Sequence, residues 1–283
     1  FLGAALKNFD SSVSERTTKL INAGLELHTK VSNTFRKTAI KFHYEFNVRH
    51  LTNMFQGILY AKKEQVKTPE KLVKLWLHEA ERTYADLLMS EEDNQTYHRI
   101  SREVAKKFFP SDKDDAIFPT PNIFSQFALG LTETVYSDIA SFEKLSELLE
   151  EALRDYNENF AVMDLVLFED AMRHICRISR ITSNGHALLV GVGGSGKQSL
   201  SRLTAFINGA SVSMITISRT YGVNDLKADI MALMVLVSLK IKILQAKLKM
   251  ARQKTEMLIL VIYQVMVTAV IQVTEATAVI NEI

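Results

Sequence analysis

Residues 186–200 read HALLVGVGGSGKQSL, and this stretch decides the fold. A short apolar run, Ala187 to Val190, ends in four glycines within six positions, followed by a lysine and a helix-forming segment. Strand, phosphate loop and helix in that order are the signature of a P-loop nucleotide-binding site. Gly191, Gly193, Gly194 and Gly196 allow the tight bend that turns backbone N–H groups toward an anion. A helix starting near Lys197 adds its N-terminal partial charge, and the ammonium of Lys197 reaches the outer phosphates. Val192 and Ser195 complete the loop, and the backbone of Gly193 to Gln198 is expected to wrap a β-phosphate. Gln198 stands where Ser or Thr normally offers Mg²⁺ a hydroxyl, and Ser199 follows it. An amide oxygen is the weaker ligand, so binding is a firmer expectation than fast hydrolysis. Taken bare, the spacing also suits a Gly-rich turn.

Outward from the loop the chain is globular in composition, 47% hydrophobic and 23% charged over 283 residues, enough for two ordinary domains. A net charge of +2 gives no electrostatic case for nucleic acid. Residues 231–283 hold six basic and three acidic side chains, leaving the first 230 near neutral, with 28 basic against 29 acidic. One cysteine, Cys176, precludes an internal disulfide framework and fits a reducing compartment. The first residues do not resemble a signal peptide, and the absence of an initial Met suggests a fragment.

Four prolines, at 69, 110, 119 and 121, leave most of the chain open to long helices. Thr68-Pro69-Glu70 is a helix start, and Leu72, Leu75, Trp76, Ala80 and Leu87 then recur on one apolar face. Residues 1–109 read as a helical bundle, and the polar, Pro-marked stretch 109–121 reads as a module boundary. Helical patterns return at 141–156 and 165–180; strands are expected at 187–190 and 212–217 around a helix at 198–207. That alternation predicts a parallel sheet with the loop at its carboxyl edge. From Met257 to Thr274 there are 18 residues without a charge, long enough to suggest a membrane span, although Gln264 and Gln272 count against it. The competing reading is a paired helix, since Leu236, Leu239, Ile243, Ala246 and Met250 keep a three-four spacing.

Several segments, in order, resemble axonemal dynein heavy chains, most closely the outer-arm β class. KFHYEFNVRHLTNMFQGIL (41–59) and LWLHEAERTYADLL (75–88) resemble the end of the third AAA+ module of the motor ring. MDLVLFEDAMRHICRISRI (163–181) and HALLVGVGGSGKQSLSRLTAFING (186–209) resemble the start of the fourth, GKQS being that family's own form of the loop. The resemblance covers about residues 1–230. It implies an α/β P-loop AAA+ fold with a large all-helical portion: a lid of the third module at 1–110, the N-terminal part of the fourth module's large subdomain at 111–230, and a helical stalk segment at 231–283. LKIKILQAKLKMARQKTEML (239–258) and VTEATAVINEI (273–283) resemble a stalk helix in which many acidic positions are apolar.

The same resemblance implies an ATP-driven microtubule motor of the cytoplasm's cilium or flagellum axoneme. Its expected partners are microtubules, reached through a stalk tip outside this segment, and other dynein heavy, intermediate and light chains. Membrane and nucleic acid are not expected. The site here is expected to bind ATP or ADP with Mg²⁺ in a regulatory or structural role. In the family a strand bearing Mg²⁺-binding and water-activating carboxylates follows; here Ile230 passes directly to Met231-Ala232-Leu233, so joined pieces of a larger parent are expected. Arg49 matches the sensor position of the lid, facing the third module's nucleotide, and Leu165, Val166 and Leu167 resemble the segment that packs on adenine. Each also suits a plainer role, a surface arginine and ordinary core. The rival from another class is a membrane-anchored P-loop protein. His78-Glu79 lacks a second histidine, since Arg82 fills that place, and His174 and Cys176 have no further ligands in sequence, so neither reads as a zinc site.

Overall fold

The computed structural model describes residues 2–131, 134–184, 188–215 and 218–236. It divides into two compact units, Phe1–Val212 and Ser213–Ile283. In the first, α1 (Leu2–Ala5) and α2 (Ser11–Ser14) lead into α3 (Thr17–Thr34), α4 (Val48–Ile58), α5 (Pro69–Tyr84), α6 (Glu91–Phe108) and the single turn α7 (Asp114–Ile117). Strands β1 (Phe124–Ser125) and β2 (Ser137–Asp138) pair antiparallel, with Phe124 opposite Asp138. Helices α8 (Phe142–Asn159), α9 (Glu169–Asn184) and α10 (Lys197–Ile207) follow. In the second unit, residues 223–236 are helical and Gly222 N–H donates to Asp225 Oδ2 at 2.8 Å.

Helix α5 is the axis of the first unit. Thr68 caps it by accepting from the Lys71 N–H at 3.3 Å, Pro69 sits in the first turn where no N–H is needed, and Glu70 and Arg82 complement the helix dipole. The sequence suggests one apolar face, but Leu75 to Ala80 are all buried, so the helix is enclosed on every side. Leu87 lies beyond its end, in a 3₁₀ turn, and is 38% exposed. Helix α6 is better patterned: Ser90 accepts from the Asp93 N–H, three acidic residues fill the first turn and Lys106 and Lys107 the last.

Two apolar cores form among the described residues. Leu20, Leu27 and Val31 of α3 pack with Leu72, Leu75 and Trp76 of α5 and Val104 of α6 in one. Leu145 and Leu149 of α8, Ile175 and Cys176 of α9, and Leu200 and Leu203 of α10 make the other. The helix expected from residue 165 starts only at Glu169. Met163, Leu165 and Leu167 alternate onto the second core instead, a period of two that suits extended backbone.

The described part is mostly helical, and β1–β2 is the one sheet within it. Residues 188–190 and 212–215 of the two expected strands carry no regular structure, and 187, 216 and 217 lie outside the described residues. A strand exists only through a ladder partner; Leu188 and Val190 are each 87% exposed, with no such partner among the described residues. The expected stalk helix, from residue 237 onward, and the uncharged stretch 257–274 lie outside the described residues. Among those described, no helix is long and apolar enough to cross a membrane.

Gly24 is where α3 meets α4. A Cβ there would stand 2.7 Å from Phe55 Cζ and 2.9 Å from Met54 Cε. Gly24→Ala is therefore expected to destabilise the chain by about 1–2 kcal/mol by overpacking, despite alanine's better helix propensity, read as a lower urea midpoint at unchanged slope.

Candidate functional site: the phosphate loop and the buried joint of α5 and α9

The phosphate loop has the geometry its glycines require. Gly194 (φ +77°) and Gly196 (φ +75°) both occupy the left-handed region, and Gly196 is the residue from which α10 departs. A side chain at either would strain the backbone by roughly 1–2 kcal/mol. A Cβ at Gly193, Gly194 or Gly196 would meet nothing within 4 Å, so the loop's inner edge is open. The first N–H groups of α10 have no acceptor within the helix and are available to an anion. Lys197 folds back over the loop, its Nζ donating to Gly191 O at 2.8 Å, Val192 O at 2.6 Å and Ser195 Oγ at 2.9 Å. Gln198 is exposed and Ser199 partly so, both on the first turn of α10.

The helix behind the loop is firmly seated. Leu200, Leu203 and Thr204 are buried, and Thr204 Oγ1 donates to Leu200 O. At its far end Asn208 bridges to α9, accepting from Ser179 Oγ at 2.8 Å and donating to Thr182 Oγ1 at 3.2 Å. Of the residues expected near adenine, Leu165 and Leu167 are partly buried against the second core, whereas Val166 is 75% exposed. Arg49 is elsewhere, exposed on the first turn of α4, where its N–H donates to Asn47 Oδ1. No hydrogen bond or ion pair among the described residues joins it to the loop.

Sequence reading missed a second constellation, at the joint of α5 and α9. Glu79 is 0% exposed, yet its carboxylate accepts from Arg180 Nε at 2.9 Å, from Arg180 Nη2, and from the buried Tyr136 hydroxyl. Burial first, and then the Glu79 charge, pushes the Tyr136 hydroxyl well above its ordinary value, so it stays a donor. Burial opposes the Arg180 charge, but the Glu79 carboxylate more than offsets this and raises its pKa. Beside them Asp86 Oδ1 lies 3.2 Å from both Arg82 Nη1 and Arg177 Nε, while Arg82 also pairs with Glu81. The adjacent Cys176 thiol is pushed up to about 12 by burial and is chemically quiet. The available signal was His78-Glu79 with Arg82 inside a helix of apolar residues: charges on a face that must be buried need partners.

Glycine makes this joint possible. A Cβ on Gly57 of α4 would fall 1.8 Å from Glu79 Oε2 and 2.8 Å from Arg180 Nη2. Gly57→Ala must therefore displace the carboxylate from its guanidinium. The expected loss is about 3 kcal/mol, the scale for breaking a buried pair, checked by chemical denaturation against Gly3→Ala, where a Cβ meets nothing within 4 Å.

Histidines make stability depend on pH. Burial, followed by the Arg82 charge, holds His78 well below its ordinary 6.5. His28 and His50, on either side of Tyr84, are also lowered, chiefly by burial. The native state thus keeps them neutral while the unfolded chain takes up protons near pH 6.5. Stability is complete above pH 6.5 and is lost as the pH falls below it, by up to about 1.4 kcal/mol per pH unit for the buried His78 and by less for the half-buried His28 and His50. Urea midpoints between pH 7.5 and 5 should fall accordingly, and remain level above pH 6.5.

Comparison with known proteins gives two family matches. Residues 20–119 match the AAA+ lid domain family, and residues 163–267 match the family described as the P-loop containing dynein motor region D4. The second match runs beyond the boundary expected at 230. The dynein alpha chain of the flagellar outer arm of Chlamydomonas reinhardtii is 54% identical over 236 residues, covering 81% of this chain and 5% of that protein. Human dynein axonemal heavy chain 17 is 50% identical over 230 residues, again 81% and 5%. The ciliary dynein beta chain of Tripneustes gratilla is 46% identical over 235 residues, with the same coverage. The chain thus spans about a twentieth of the length of the curated relatives it matches.

Proposed function

This chain belongs to the axonemal dynein heavy-chain family, and from that premise we propose that it is a segment of an ATP-driven microtubule motor whose own P-loop binds ATP or ADP. The observation that carries the nucleotide reading is the loop itself: two left-handed glycines immediately before α10, with Lys197 Nζ held against the carbonyls of Gly191 and Val192. Two carbonyl bonds are what the ammonium would exchange for phosphate oxygens. Gly193 to Gln198 would present backbone N–H groups to the β-phosphate, and Val166, exposed between its partly buried neighbours, would offer apolar surface to the base.

In this reading residues 1–110 are the lid of the third module and 111–230 open the fourth. Residues 231–283 lead toward the stalk, through whose tip the whole motor would meet microtubules. Arg49, on the lid, would serve the third module's nucleotide. The full protein would hydrolyse ATP in the axoneme alongside other dynein heavy, intermediate and light chains. Mg²⁺ would neutralise the bound phosphates; Gln198 and Ser199 would offer it an amide oxygen and a hydroxyl. A site with Gln198 in the hydroxyl position suits a regulatory or structural role better than rapid turnover.

Binding of a fluorescent ADP analogue to the full chain tests this. Lys197→Ala is expected to weaken it at least tenfold with an unchanged unfolding midpoint, since the ammonium contacts only the loop; equal binding by the variant would overturn the reading. Gln198→Thr is expected to strengthen the Mg²⁺ dependence of binding.

A further inference from the structure

A small cavity of about 10 Å³ lies within the buried joint. Its walls are His78 and Arg82 of α5, Asn122 and Ile123 from the segment before β1, and Arg173, Cys176 and Arg177 of α9. Four polar atoms on these residues are buried without a hydrogen-bond partner: His78 Nε2, Arg82 Nε, Asn122 Oδ1 and Arg177 Nε, the last of which faces the Asp86 carboxylate at 3.2 Å. Such atoms are costly to leave unmade, and protein interiors rarely do so.

The hydrogen positions follow from their neighbours. His78 Nδ1 lies 3.0 Å from Asn122 O, a carbonyl that can only accept, so Nδ1 carries the proton. The ring is neutral, because burial and then the Arg82 charge hold its pKa well below 6.5, and Nε2 is therefore a bare acceptor. The Asn122 amide is oriented by Nδ2 donating to Lys74 O at 3.2 Å, which turns Oδ1 into the second open acceptor. Arg82 Nε–H is an open donor. What fits is a small molecule with two hydrogens to give and a lone pair to receive. We propose that this cavity holds one ordered water, donating to His78 Nε2 and Asn122 Oδ1 and accepting from Arg82 Nε, which ties α5, α9 and the segment before β1 together.

Other occupants fail on chemistry. An anion has no hydrogen for two acceptors, and each guanidinium already meets a carboxylate: Arg82 with Glu81 and Asp86, Arg177 with Asp86, Arg173 with Glu169. A metal ion would face three guanidiniums. The volume matches a single water centre. Asn122 and Arg173 also line an open groove of about 260 Å³.

A crystal structure of the full chain at a resolution that shows ordered water tests this, with a bromide soak alongside. Expected is one peak within about 2.7–3.2 Å of both His78 Nε2 and Asn122 Oδ1, without anomalous signal after the soak. In solution, ¹⁵N spectra should show His78 protonated at Nδ1 with Nε2 accepting a hydrogen bond. His78→Phe, which removes the acceptor, should lose the peak. If that variant does not fold, the wild-type map, the soak and the spectra still decide. An empty cavity, a bromide peak or a proton on Nε2 overturns the proposal.

Discussion

The carboxylate of Glu79 is the constraint around which the first unit is organised. It has no exposed surface, so its charge must be met within the protein. Arg180 supplies two N–H groups, Tyr136 supplies a hydroxyl, and Gly57 gives up its own volume. These four residues come from α5, α9, the residue just before β2, and α4. Satisfying one carboxylate therefore sets how four parts of the chain approach one another. Hydrophobic burial brings helices together without direction, whereas a buried ion pair tolerates few arrangements, and this is where the registry of the joint is decided.

The phosphate loop depends on that framework at one remove. Helix α10 is seated on α9 through the second core and through Asn208. Helix α9 is in turn held to α5 by Arg180 and to the 3₁₀ turn that follows α5 by Arg177. The loop is thus anchored at its helical end, while its glycine-bearing inner edge stays open. A rigid support beneath an accessible ring of N–H groups is the arrangement that anion binding requires, because the donors are oriented before the ligand arrives.

Much of this was legible in the residues. Glycine spacing around Lys197 announced a tight bend, and Gly194 and Gly196 make it in the left-handed region, which only glycine occupies without strain. Thr68-Pro69-Glu70 announced the start of α5, because caps act through neighbours in sequence. Reading failed where the answer depended on distant partners. The helix assigned from Leu165 is extended up to Phe168, because Met163, Leu165 and Leu167 all turn onto the second core. Setting His78-Glu79 aside as a zinc site left its role unread: Glu79 pairs with Arg180, and Arg82 with Glu81 and Asp86, in a buried joint.

By itself, the sequence determined the local chemistry: the loop, the caps, the helical periods and, through several ordered segments, the family. Those rest on interactions spanning four or five residues, which a linear string records. Only the tertiary structure decided that α5 is enclosed on all sides, that Glu79 meets Arg180 across 101 positions of chain, and that Gly57 must lack a side chain. The reason is physical: desolvation of a charge, and the space beside it, are set by which elements surround it, and that is a property of the packed chain alone.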